Sequence, residues 1–424
     1  MNKKADEYKG MDGGKNSLRQ LQPFESFKNP VFRVYYGSMV GNWFAMSMQI
    51  VVRSLLIYRL TGSATIIGVM SLASAIPTLL VSLLGGAVAD RVQKKYILFA
   101  GRAASAVLTL GIALALTLGY LSPERSGSWW LLIFAAVLEG IVNGFLMPTN
   151  MAIIPEIVSR ERVMNAISLS TVGQNVFRLV GPALGGFLID AYGFAVVYYL
   201  MTGMHIVATV FASLLPRTSA RTTRGGNPLA DMLEGLRYIG RETTILLLVV
   251  FSVCHIISGQ PFQQLLPVFT EDILKVSASK LGLLTSVSGV GAMLGSLVLA
   301  SLPNRKRGAL LLLSGVIMGL PIIVFSFSHW WYLSLVMMPF IGLGPTMHMT
   351  LTATLVQSYA EPDYRARMQS FVTMASGLAS LGTFLAGVLA EAIGVQWSIG
   401  GMAIFLTLIS IIFLTFVPRL RKLD

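Results

Sequence analysis

The chain has little charge and almost no cysteine. Only 12% of its 424 residues are Asp, Glu, Lys or Arg, and Cys254 is its one cysteine. Soluble domains carry about 25% charged residues, so the composition excludes an ordinary globular protein. One cysteine excludes an internal disulfide and a cysteine metal site. The four histidines (His205, His255, His329 and His348) are scattered without ligand spacing, and no metal is expected. The first 32 residues are polar and lack an apolar stretch of about 7 to 15 residues, so they read as a tail rather than a signal peptide. G-x-x-x-x-G-K-S/T, H-E-x-x-H and G-x-S-x-G are missing; direct use of ATP and enzymatic activity are therefore not expected.

What the chain has in abundance is apolar length, with 54% hydrophobic residues. Runs of about 17 to 25 apolar residues can cross a bilayer as helices, and twelve such runs fall at 34–57, 66–89, 96–119, 129–153, 165–189, 193–215, 244–269, 281–301, 308–328, 331–355, 366–390 and 394–417. The runs are continuous rather than alternating, which selects helices over a closed barrel. The fold class expected is therefore an all-α membrane protein of twelve transmembrane helices.

The net charge of +13 has a topological explanation. Of 32 Lys and Arg residues, 26 fall on the side of the termini, five fall on the opposite side, and Arg178 lies inside a span. Bases concentrate on the cytoplasmic side of membrane proteins, so both termini are expected in the cytoplasm. A nucleic-acid partner is not expected, because the bases occupy short gaps between spans instead of one folded surface.

Residues 1–33 are expected to be a cytoplasmic tail, 34–215 and 244–417 two six-helix bundles, 216–243 a linker, and 418–424 a second tail. The linker starts Gly-, Thr- and Arg-rich. Later, Leu229, Met232, Leu233, Leu236 and Ile239 recur at helical spacing, which predicts an amphipathic helix at the membrane surface. Shifting the second half over the first by 201 positions lays GPALGGFLIDAYG on GTFLAGVLAEAIG, with six of thirteen residues identical and Asp190 facing Glu391. Parallel repeats with a site between them are a transporter architecture.

Two ionisable residues sit near mid-span, Glu139 and Arg178. A charge at the bilayer centre costs on the order of 2.5 to 3.5 kcal/mol and seeks a partner or a watery cavity. The two are expected to pair, directly or through water. Glu139 is the candidate for proton coupling, with a permanent structural ion pair as the alternative. Asn42, Trp43, Gln49, Arg53, Asn143, Asn150, His255, Gln260, Gln263 and Gln264 are candidates to line a cavity, and Pro261 is expected to break the seventh span.

GGAVADRVQKK between the second and third spans, the six-plus-six arrangement and GPALGG in the fifth span resemble the major facilitator superfamily. RLTGSATIIG, ADRVQKKYIL, NPLADMLEGLRYI and SASKLGLLTSVSGVGAMLGSL are similar to its branch of enterobactin exporters and macrolide efflux pumps. The resemblance implies a cytoplasmic gate at Gly86, Asp90, Arg91, Lys94 and Lys95, in which Asp90 holds the facing half at a helix N-terminus while Lys94 and Lys95 mainly keep the loop inside. Gln93 stands where the superfamily pattern has glycine, which puts the tight turn in question. Gly181, Pro182, Gly185 and Gly186 match its G-P-x-x-G-G export motif. The resemblance further implies an ion-gradient-driven exporter of a drug or siderophore-like small molecule in the inner membrane, expected as a monomer without cofactor. An importer of the same fold and a non-transporting sensor or scaffold are the alternatives.

Overall fold

The computed structural model describes residues 24–217 (backbone only over 83–91), 234, 237–302, 305–361, 364, 368 and 377–424. Helix α1 spans Pro30–Thr61. Asn29 caps it, accepting a hydrogen bond from the Val31 N–H at 2.9 Å, and Pro30 opens it at a position where no donor is needed. Then come α2 (Ala64–Arg91), α3 (Lys94–Thr117), α4 (Trp130–Ile157) and α5 (Val163–Ser213). The second half holds α6 (Thr243–Gly259), α7 (Pro261–Asp272), α8 (Ala278–Ser301), α9 (Arg307–Ser326), α10 (Trp331–Tyr359), α11 (Leu378–Ile393), α12 (Val395–Phe416) and the short α13 (Pro418–Arg421).

Among the described residues nine stretches are long and apolar enough to cross a membrane. One of them, Arg160–Ser213, is 54 residues long. At about 1.5 Å per residue it exceeds twice the ~30 Å hydrocarbon thickness, so it is two spans. They meet at Gly193, whose φ of 81° and ψ of 174° suit glycine almost exclusively. Its repeat partner Gly394 separates α11 from α12 with φ 86° and ψ 151°. With α10 and α11 counted, and α6 and α7 taken as one span interrupted at Gln260, the architecture is the twelve-helix one expected.

Within the first half α5 packs on α1 and α3, and α2 on α4; within the second, α10 packs on α8 and α9, and α9 on α12. Between the halves α5 lies against α8 and α2 against α11. Buried Ser and Thr hydroxyls mostly return to backbone carbonyls of their own helices, as Thr149 does to Phe145 and Ser410 to Leu406, which satisfies these donors inside an apolar layer. Large apolar side chains such as Phe187, Leu297 and Phe405 point outward, the surface a bilayer requires.

Both tails differ from expectation. The last part of the first tail is ordered: Glu25–Lys28 forms a 3-10 turn, Glu25 pairs with Arg162 at 3.1 Å, and Asn29 donates to the Ile157 carbonyl at 2.7 Å. The C-terminal tail docks on the second half, burying Leu420 and Leu423, with the Gly308 N–H donating to the Leu423 carbonyl at 3.0 Å. Of the amphipathic linker helix, residues 218–233, 235 and 236 lie outside the described residues. Its end is helical, with Ile239 buried and Tyr238 stacked on Tyr364 at 4.2 Å.

Candidate functional site

A cavity of about 670 Å³ is lined mainly by the first half, from Arg53 and Glu139 at mid-span to Tyr35, Ile154 and Ile167 toward the end that carries the chain termini, and by Gln264, Gly377 and Ser380 of the second half. Its wall follows from helical periodicity. Asn42, Met46, Gln49 and Arg53 are spaced three and four apart and share one face of α1, as Glu139, Asn143 and Asn150 do on α4. Gln49 and Arg53 therefore reach the same carboxylate. Gln49 Nε2 donates to Glu139 Oε2 at 2.9 Å and Arg53 Nη1 at 3.2 Å.

The ion partner expected for Glu139 is thus replaced. Arg178 projects from α5 with its side chain exposed and does not line the cavity. Helix depth could be counted along the chain, but rotation about the helix axis turns Arg53, not Arg178, toward α4. Of the expected lining residues, Asn42, Trp43, Gln49, Arg53, Asn143 and Asn150 are on the wall, whereas His255, Gln260 and Gln263 are not. Gln264, a candidate from the same stretch of the seventh span, does line it, accepting the Ser54 hydroxyl across the halves at 3.0 Å. His255 is fully buried inside the second half, its ring stacked on His348 at 3.8 Å.

One wall residue was hidden in the sequence. Arg102 on α3 is only 1% exposed, and its Nη1 donates to Asn42 Oδ1. It lies less than ten residues from the start of its span, so it counted with the bases of the terminal side. The helix instead buries it against α1 and α4.

At the end remote from the termini the halves are tied together. Tyr58 donates to Asp272 at 2.6 Å, and Arg59 pairs with Glu271 at 2.7 Å. Two further ties repeat one another. Asp190, at the end of the fifth span, accepts the N–H groups of Ala278 and Ser279, the first two residues of α8, at 3.1 and 2.7 Å, together with the Ser279 hydroxyl. Glu391, its repeat partner, accepts the Thr65 N–H at the start of α2 at 3.2 Å and the Ser63 hydroxyl. Each carboxylate meets the positive end of a helix from the opposite half. Close approach makes this possible: Gly186 and Gly387 bring α5 and α11 onto the backbones of Ala278 and Ala64, where any Cβ would collide.

Of the motif residues, Gly181 and Gly185 face Ser47 and Met48 of α1, while Pro182 and Gly186 face Gly282 and Ala278 of α8. The side chains of Gly86, Asp90 and Arg91 lie outside the described residues. Lys94 is more than a topology signal. It is buried and pairs with Glu156 at 2.6 Å, tying the start of α3 to the end of α4. Lys95 is half-buried beside it. Gln93 has φ −60° and ψ 123°, an extended conformation open to any residue, so the turn does not need the missing glycine.

Three comparisons with known proteins agree with the fold. The chain is 23% identical over 411 residues to a staphyloferrin A transporter of Staphylococcus aureus, covering 94% of this chain and 96% of that one. It is 20% identical over 418 residues to macrolide efflux protein A of Streptococcus pyogenes, covering 95% and 100%. The crystal structure of a bacterial homologue of the lysosomal transporter Spinster, inward-facing and unoccupied, superposes with a TM-score of 0.70 at 16% identity over 94% of this chain and 98% of that one. The model of the transmembrane secretion effector family matches residues 21–424, and the chain belongs to that family of major facilitator transporters.

Proposed function

We propose that the protein is a proton-coupled exporter of an amphipathic small molecule, working by alternating access in the inner membrane with both termini in the cytoplasm. The observation that carries this reading is the placement of the cavity between the halves: its lining runs from Arg53 and Glu139 at mid-span to Tyr35, Ile154 and Ile167 toward the terminal end, while the described ties between the halves lie at the other end. The 26 bases on the terminal side favour a cytoplasmic mouth. The name of the macrolide efflux relative, with the Gly181–Gly186 motif, favours export over import.

Cargo would enter from the cytoplasm, and release of the Asp190 and Glu391 ties would let the halves rock to open the far end. A proton taken up by Glu139 from outside would dissolve its pair with Arg53; delivered to the cytoplasm, it would leave the pair as it stands here. Two states of one carboxyl suffice to link cargo flux to a proton gradient.

The test is flux in liposomes containing the purified full-length protein, with a panel of amphipathic compounds and an imposed pH gradient. At least one compound is expected to move against its own gradient until a protonophore is added. Movement that is only downhill and ignores the protonophore would make the protein a facilitator. Absence of flux for the whole panel would favour a sensor.

A further inference from the structure

We infer that the cargo carries an acidic group, a carboxylate or similar oxyanion, and that Arg102 receives it. The inference rests on the transport reading above and adds the charge of the substrate. Arg102 lines the cavity and is almost wholly buried. Every partner it has is neutral: Nη1 donates to Asn42 Oδ1, Nη2 lies 3.5 Å from Met39 Sδ and 3.4 Å from Asn150 Oδ1, and Nε has no partner. A buried cation of this kind is costly unless an anion answers it.

The cavity does not supply that anion from its own described wall. Glu139 is its acidic residue there, and Arg53 and Gln49 already occupy it. Two guanidinium groups against one carboxylate leave the described lining one positive charge in excess. The geometry names the edge with donor capacity to spare. Nε and Nη2 share one edge of the guanidinium, the edge with no contact shorter than 3.4 Å. A carboxylate engages such an edge through two parallel hydrogen bonds, which a lysine or an amide cannot reproduce. If Arg102 were merely a brace between α1, α3 and α4, its charge alone would favour anions, and Arg102→Lys would keep the whole preference rather than part of it.

Two dyes with one xanthene frame and opposite charge separate these cases: fluorescein, an anion at mildly alkaline pH, and rhodamine 123, a cation. Fluorescence anisotropy with purified full-length protein is expected to show fluorescein binding at least about tenfold tighter, and unlabelled benzoate, but not tetramethylammonium, should compete with it. Arg102→Gln should remove the preference, and Arg102→Lys should recover part of it. Wild-type protein that prefers rhodamine 123, or does not distinguish the dyes, overturns the inference whatever the variants do. So does a folded Arg102→Gln protein that keeps the preference. Flux separates this from failure of the transport reading. Anion-selective binding without gradient-driven movement would sink that reading and leave the site; gradient-driven movement of rhodamine 123 without anion preference would do the reverse.

Discussion

In the first half Gln49, Arg53, Arg102 and Glu139 surround a cavity; in the second half the nearest comparable chemistry, His255 and His348, is two rings stacked in a sealed core with three ring nitrogens lacking any partner. Yet the halves share their frame. Asp190 and Glu391 cap the facing helices in the same way, and Gly193 and Gly394 break the chain at the same point of the repeat. The repeat therefore preserves the ties between the halves and the breaks between their last two spans, and leaves the ionisable groups of the cavity to one side.

The sharpest way to break this contrast is Glu139→Gln. Removing one member of a buried pair costs about 3 to 5 kcal/mol where the pair is fully enclosed, and somewhat less here, since both side chains are about one-fifth exposed to the cavity. Gradient-driven flux is expected to fall by at least about tenfold, with the protein still folded by circular dichroism. Flux at the wild-type rate with unchanged pH dependence would remove Glu139 from the coupling role.

The shared frame is tested by Asp190→Asn and Glu391→Gln. Each carboxylate at a helix N-terminus contributes about 0.3 to 1 kcal/mol, and up to ~2 kcal/mol when partly buried. The single variants should weaken the far-end closure by similar amounts and the double variant by about their sum, read as faster labelling of cysteines placed along the far-end half of α5. A large effect from one and none from the other would mean that the two ties are not equivalent.

The second half should be quiet. His348→Leu nearly keeps volume and deletes two ring nitrogens, one of them buried without a partner, so stability should change by less than about 1.5 kcal/mol in thermal unfolding, and flux should keep its pH dependence. A moved pH dependence would bring the histidine pair into the coupling. The smallest effect is expected of Gln93→Gly. Since Gln93 is already extended, restoring the superfamily's glycine should cost no more than about 1 kcal/mol through the freedom it gives the unfolded chain.

The frame was legible in the sequence because spans and repeats are one-dimensional: length sets a crossing, and the match at 201 positions had already set Asp190 against Glu391. The face of α1 was legible too, since Asn42, Gln49 and Arg53 recur at helical spacing. What spacing leaves open is azimuth. Glu139 lies 39 residues from Arg178 and 86 from Arg53, and only the packing of α1 on α4 selects the second. Arg102 and Lys94 were masked by position, because a base near a span end serves equally well as an interfacial anchor. The gate expected at Asp90 rests on a side chain outside the described residues. A carboxylate meeting a helix N-terminus of the opposite half is present, but the described examples are Asp190 and Glu391, at the other end of the molecule.

The most direct test of the account is whether one end closes as the other opens. In a Cys254→Ser background, spin labels at Thr61 and Lys275 report the tied end, and labels at Arg160 and Arg305 report the terminal end. Pulsed electron paramagnetic resonance on the reconstituted protein should give a short far-end distance and a long terminal-end distance. Acidification or the Asp190→Asn, Glu391→Gln double variant should add a population in which both are reversed together. Distances that stay fixed under both treatments, or that lengthen at both ends at once, would contradict alternating access.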